Sequence, residues 1–199
     1  MEFELKGNVL KFNRVLSNLD RLVIKFTKIL SREKIDYVII SGYIAILFGR
    51  SRNTEDVDLF VEEMPFEKFF SFWNTLEKAG FECLNDSKPK EAFFEYLKNG
   101  LALRFAVKGT FLPNFELKFP KTDLNEYSVK NKIEVQLGEE KIYTSKMELQ
   151  IAFKLYLGSD KDIEDAIHLW RVFKKTIDKE LFMGFVKRLN VEGRLKELE

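Results

Sequence analysis

Apolar and polar positions alternate along this chain in two different rhythms, and the change from one to the other divides it. Glu2–Leu5 and Val9–Phe12 flank a Lys6-Gly7-Asn8 turn and predict a hairpin. From Asn13 to Lys34, Val15, Leu16, Leu19, Leu22, Val23, Phe26, Ile29 and Leu30 recur at intervals of three and four, the stripe of a long amphipathic helix. Asp36–Ile40 is a short run rich in β-branched residues, as in a central strand. Ser41-Gly42 breaks it, Tyr43–Phe48 predicts a short helix ended by Gly49, and Asp56–Val61 predicts the next strand. A helix follows from Pro65 to Lys78, with Pro suited to its first turn, and a second spans Pro89–Asn99. Strands are expected at Leu101–Val107 and Phe115–Phe119, a short helix after Thr122, and a hairpin over Ile133–Tyr143 that turns at Gly138-Glu139-Glu140.

Beyond Thr144 only the helical rhythm remains, at Lys146–Leu157, Lys161–Lys175 and Asp178–Leu189. The pattern predicts an α+β (mixed α/β) core, a mixed sheet flanked by helices over residues 1–143, and a C-terminal helical subdomain over 144–199.

Composition narrows the chemistry. Hydrophobic residues make up 45% of the 199 and charged residues 33%, enough for a core and a well-solvated surface. No apolar run approaches the roughly 20 residues of a membrane helix, and the acidic start Met1-Glu2-Phe3-Glu4-Leu5 lacks the pattern of a signal peptide. A cytoplasmic protein with no membrane partner is expected. One cysteine, Cys83, and one histidine, His168, exclude an internal disulfide and a cysteine or multi-histidine zinc site. Cys83 reads as a structural thiol and His168 as a packing residue. A metal here would have to be held by carboxylates, which favours Mg2+ or Mn2+. Lys plus Arg (33) nearly balances Asp plus Glu (32), so no cationic excess marks a general nucleic-acid binder. The aromatic helix Phe66, Phe69, Phe70, Phe72, Trp73 has the spacing of a core face rather than of a stacking surface.

Against that background Asp56 and Asp58 stand out. Strand side chains alternate faces, so the two carboxylates project together while Val57 and Leu59 enter the core. Carboxylates so close repel unless a cation or proton lies between them. The loop before them carries Arg50, Arg52 and Thr54, and Gly42 opens a strand-to-helix turn that can approach an anion. Glu116, in Phe115-Glu116-Leu117-Lys118-Phe119, has the alternation to face the same side and is the candidate third metal ligand and base. An exposed Glu–Lys pair is the plainer reading of Glu116, as an exposed lysine is for Lys154 and a helix-start carboxylate for Asp162.

The stretch Ile40-Ser41-Gly42-Tyr43-Ile44-Ala45 with Gly49, Arg52, Thr54, Glu55, Asp56, Val57 and Asp58 resembles the signature of the polymerase-β-like nucleotidyltransferases, in their minimal bacterial and archaeal branches. Ser145–Lys154 followed by Lys161-Asp162-Ile163-Glu164-Asp165-Ala166 resembles the Lys-bearing helix and Lys-Asp-x-x-Asp motif of the toxin-type members found in toxin–antitoxin pairs. The resemblance implies transfer of a nucleoside monophosphate from a nucleoside triphosphate to a hydroxyl of RNA, protein or a small molecule. It implies a metal held by Asp56, Asp58 and Glu116, nucleotide contacts from Ser41, Gly42, Arg52, Thr54, Lys154 and Asp162, and an antitoxin-like partner. One departure stands out: the family carries Gly-Ser or Gly-Gly at the turn, where this chain has Ser41-Gly42. It bears on activity more than on fold. A catalytically degenerate module that binds nucleotide or a partner, and a carboxylate-metal nuclease, remain open alternatives.

Overall fold

A computed structural model describes residues 3–199, so Glu2 of the expected first strand lies outside the described residues. Strands β1 (Phe3–Lys6) and β2 (Val9–Phe12) pair antiparallel around the Gly7 turn. Helix α1 (Asn18–Arg32) begins five residues later than the periodicity suggested. Ser17 and Asp20 form a capping box, each side chain accepting from the other's backbone amide, and this local pairing sets the start. Asp20 is fully buried and also receives Tyr43 Oη at 2.8 Å and Arg14 at 2.8 Å, which ties the cap to the next helix.

Strand β3 (Tyr37–Ile40) leads through Ser41 into α2 (Gly42–Leu47), and β4 (Asp56–Val61) returns antiparallel to β3. Helix α3 (Phe66–Lys78) starts just after Pro65 and buries Phe69, Phe72, Trp73 and Leu76, the aromatic face expected of a core helix. Strand β5 (Phe81–Cys83) was not foreseen; three residues between Gly80 and a polar loop are too few to show an alternation. Cys83 on it is half-buried, and burial pushes its thiol above the ordinary range, as befits a structural cysteine.

Helix α4 (Pro89–Glu91) runs on as a π-helical segment, Ala92–Leu97. Then come β6 (Leu103–Val107), β7 (Asn114–Lys118), α5 (Asp123–Lys130) capped by Thr122, and the β8 (Ile133–Leu137) and β9 (Glu140–Thr144) hairpin. Helices α6 (Met147–Leu157), α7 (Asp160–Phe173) and α8 (Lys179–Arg188) close the chain with a 3-10 segment, Glu192–Leu198. No helix among the described residues is long and apolar enough to cross a membrane.

Among the described residues the strands form one mixed nine-stranded sheet in the order β1-β2-β8-β9-β3-β4-β7-β6-β5. The two strands that matter most, β4 and β7, are parallel neighbours near its middle, and their register sets Asp56 beside Asn114, Asp58 beside Glu116 and Phe60 beside Lys118. On one face Val57, Leu59, Phe115 and Leu117 are buried beneath α1 and α3, with the Phe26 ring stacked on Phe115 at 3.9 Å. The other face of β4 carries Asp56, Asp58 and Phe60 in half-buried positions. The alternation in the sequence therefore survives intact: the core side is sealed, and the acidic side is left for chemistry.

Candidate active site

The register of β4 and β7 places Glu116 directly beside Asp58 on the acidic face, where the sequence expected a third carboxylate. Its environment is less open than that expectation required. Arg104, opposite Glu116 on β6, approaches Oε1 at 2.7 Å, and Lys118 approaches Oε2 at 2.9 Å. The same Lys118 ammonium reaches Asp58 Oδ1 at 3.2 Å, so it bridges the two acids. Burial raises the pKa of Glu116, but hydrogen bonds from Lys118 and Arg104 outweigh it and hold the carboxyl below the ordinary glutamate value. Burial pushes Asp58 upward, Lys118 opposes this, and the charges of Asp56 and Glu116 add to the rise. For Lys118 burial works against the charge, yet the two acids prevail and keep it protonated.

These positions allow a test of whether a divalent ion fits. Asp56 and Asp58 share a face and suit hard-cation binding through oxygen. Asn114, the register partner of Asp56, is buried with an Oδ1 that finds no hydrogen-bond partner among the described residues. One ion therefore fits beside Asp56 and Asp58. Glu116, expected as the third ligand, carries a cation at each oxygen that competes with an ion there, and no group of three His, Cys, Asp or Glu residues able to hold a metal gathers among the described residues. As placed, Glu116 is also a poor base, since an acid held at low pKa gives up little by staying ionised.

A cavity of about 240 Å3 opens from this face. Asp58, Phe60 and Lys118 line it together with Ser41, Ser145, Gln150 and Lys154, and Leu124, Leu149, Phe153 and Leu157 add apolar lining. Ser41 sits at the mouth of the β3–α2 turn with φ 63° and ψ −135°, a backbone region that favours glycine. Gln150 clamps it: Nε2 donates to the Ser41 carbonyl at 3.0 Å and Oε1 accepts from the Ser41 amide at 3.2 Å. The same Oε1 accepts from the Ser145 hydroxyl at 3.1 Å. Gln150 lies within the Ser145–Lys154 stretch, but its partner Ser41 is 109 residues away in sequence, so nothing local singles it out.

Lys154 is 3% exposed and does not snorkel to solvent. Its ammonium is held by Asp162 Oδ1 at 2.6 Å and Asp165 Oδ2 at 3.0 Å, while still lining the cavity. Asp165, fully buried, also takes Arg50 and Arg52. Burial raises the pKa of Asp162, but Lys154 and Ser159 hydrogen bonds prevail and hold it low. As placed, Asp162 is an ion-pair partner of Lys154, where the sequence expected a nucleotide contact.

Arg52, expected to reach phosphate, is turned inward: it pairs with Asp165 and its Nη2 would lie 2.9 Å from a Cβ on Gly42. The absent side chain of Gly42 is what lets this guanidinium pack beneath the turn. Arg52 and Thr54 border a separate shallow hollow with Leu19 and Leu112, and Thr54 Oγ1 donates to the Asp56 carbonyl at 2.8 Å. His168 packs against the Phe48 carbonyl at 3.0 Å, as a structural histidine. The structure therefore gathers Ser41, Asp58 and Lys154 around one cavity, sets Asp56 and Glu116 beside it, and uses Gly42, Arg52, Thr54 and Asp162 to support it.

No protein-family model matches the chain, and no curated protein matches it significantly in sequence. Solved structures do. The chain is similar to an antigenic nucleotidyltransferase-like protein from Paracoccidioides brasiliensis, 18% identical, with 92% of this chain and 93% of that one covered and a TM-score of 0.52. It is similar to the antibiotic-resistance factor ANT(2'')-Ia at 12% identity, with 91% and 97% covered and a TM-score of 0.56. The structure of ANT(2'')-Ia in complex with adenylyl-2''-tobramycin matches at 13% identity, with 86% and 99% covered and a TM-score of 0.52. Each pair matches over most of both chains, so the mixed sheet and the helices after it are shared together. The fold is that of the nucleotidyltransferases, as the Ser41–Asp58 segment implied.

Proposed function

We propose that the chain transfers a nucleoside monophosphate from a nucleoside triphosphate to a hydroxyl, releasing pyrophosphate. The observation that carries this reading is one cavity lined by a buried lysine, the Ser41 turn and Asp58 together with apolar side chains. A triphosphate has matching chemistry. Its anionic chain suits Lys154 and the Ser41 hydroxyl, which caps nothing in its own helix; its base suits Leu124, Phe153 and Leu157. The α-phosphate then lies toward Asp58. The acceptor oxygen attacks that phosphorus, the bond to the bridging oxygen of the pyrophosphate breaks and its electrons leave with pyrophosphate, and the proton of the hydroxyl passes to water. Positioning and fixed charge do most of the work in such a transfer. Asp56 and Asp58 would hold one Mg2+ or Mn2+, whose charge stabilises the phosphoryl oxygens. The core of residues 1–143 supplies the acids, and the helical subdomain of 144–199 supplies Lys154.

The acceptor is RNA, protein or a small molecule; the adenylyl-tobramycin bound to one structural neighbour makes a small-molecule hydroxyl worth including. The likeness of Lys154, Asp162 and Asp165 to the toxin-type motif supports a growth-arresting role with an antitoxin-like partner in the cytoplasm. The test is pyrophosphate release from each of the common triphosphates with Mg2+, offered total tRNA, the chain itself and an aminoglycoside. Transfer that disappears in Asp56→Ala and Asp58→Ala supports the reading. Failure to bind any triphosphate with either metal would sink it. The cations that cover both oxygens of Glu116 favour a second reading, a nucleotide-binding module without turnover. Tight triphosphate binding with no pyrophosphate release selects that one.

A further inference from the structure

We propose that Lys118 is a built-in cation of the acidic face and restricts the site to a single divalent ion, held at Asp56 and Asp58. This rests on the proposed transfer site, though not on turnover. Adjacent ionised carboxylates such as Asp58 and Glu116 need positive charge between them. In a site with two metals that charge is a second ion bridging the acids, with the pair of ions clamping the attacking and leaving oxygens. Here the bridging place belongs to an ammonium, 3.2 Å from Asp58 and 2.9 Å from Glu116.

Three observations make Lys118 a resident rather than a passing surface lysine. It is held in the sheet at the end of β7, with its Cα registered to Phe60 on β4. It lines the cavity together with Asp58 and Lys154, so its charge faces where a substrate would lie. Arg104 meets the other oxygen of Glu116, so an ion arriving at that carboxylate faces a cation at each oxygen. A second metal between Asp58 and Glu116 would have to displace the Lys118 ammonium. The first ion meets Lys118 only at Asp58 Oδ1: Asp56 forms no ion pair among the described residues, and the orphaned Oδ1 of Asn114 lies on the neighbouring strand position. A lysine cannot act as a Lewis acid, but its three N–H donors can hold the acids apart and steady a phosphate oxygen.

The test is Mn2+ alone titrated into the full chain and followed by electron paramagnetic resonance. The wild type is expected to bind one Mn2+ with no spin-coupled signal, and Asp56→Asn to lose it. Lys118→Met is expected to raise the stoichiometry to two and to show Mn–Mn coupling, and Lys118→Arg to restore one. Two coupled ions in the wild type overturn the proposal, as does a folded Lys118→Met variant that still takes only one. Should Lys118→Met fail to fold, the wild-type count and the Lys118→Arg count decide between one ion and two. The outcome is separable from the transfer reading: an enzyme that binds two ions loses this inference and keeps its activity. A chain that binds one ion and transfers nothing does the reverse.

Discussion

Replacing Asp165 by alanine removes the carboxylate on which three cations converge. Asp165 is fully buried on α7, and Arg50, Arg52 and Lys154 all reach it. Lys154 would keep Asp162, and Arg50 would keep Glu164 and the Lys161 carbonyl. Arg52, whose side chain is 10% exposed, would keep only the Asn53 carbonyl at 3.2 Å. Deleting one member of a buried ion pair costs about 3–5 kcal/mol, because the charge left behind stays desolvated. Asp165→Ala is therefore expected to lose about 3–5 kcal/mol in urea denaturation. In a domain of this size each kcal/mol shifts the midpoint by roughly 2–4 °C, so Tm should fall by about 6–20 °C. Asp165→Asn keeps the volume and some hydrogen bonds, and should fall between the two. The second consequence reaches the site: with Arg52 released, the guanidinium beneath Gly42 loses its anchor, and triphosphate affinity should drop even in the folded variant. A loss of under about 1 kcal/mol, the range of exposed ion pairs, would refute the claim that this carboxylate organises the helical end around the turn.

Two other predictions concern backbone and burial. Ser41 holds φ 63° and ψ −135° without a side-chain cap bond, a conformation that costs a non-glycine residue about 1–3 kcal/mol. After the extra chain entropy of glycine, Ser41→Gly should gain about 1 kcal/mol in the same urea experiment; destabilisation would mean the serine hydroxyl matters more than its backbone. Tyr37 is pushed up to about 12, chiefly by burial. The folded state therefore keeps a proton that the unfolded chain loses near pH 10, and stability should decline by about 2–3 kcal/mol between pH 10 and 12. Phenolate absorbance that titrates wholly near pH 10 with the fold intact would contradict this.

What could be read from sequence and what could not follow a physical line. Local information sufficed for β4, because the alternation Asp-Val-Asp-Leu-Phe-Val records which face is buried, and the observed pattern repeats it. The same was true of the β3–α2 turn, where Gly42 marks a close approach. Its partner in that approach was not legible: Arg52 looked like a free phosphate ligand because it sits in a basic loop, and only the fold shows it paired with a carboxylate 113 residues away. Periodicity also placed the start of α1 too early, since a capping box between Ser17 and Asp20 overrides a continuing apolar stripe. Lys154 shows both sides of the problem. Its helix read as apolar, which foretold burial; its charge argued for solvent. The conflict is resolved by Asp162 and Asp165, whose spacing of three puts both carboxylates on one face of α7 toward the ammonium.

Glu116 carries the argument further. Its alternation on β7 placed it beside Asp58 as expected, and that much is a property of strands. Whether a carboxylate so placed is a ligand, a base or a partner depends on its neighbours: the pair with Lys118 was legible along the strand, whereas the neighbour across the sheet was not. Arg104 is 12 residues away on an antiparallel strand, and Lys118 is two residues along the same strand. Together they turn an acid that looked like the third member of a metal site into the anchor of a lysine. On the proposed reading the acidic face has one carboxylate pair for an ion and one lysine for the place beside it, so its charge balance is set by side chains of this fold rather than by two exchangeable metals.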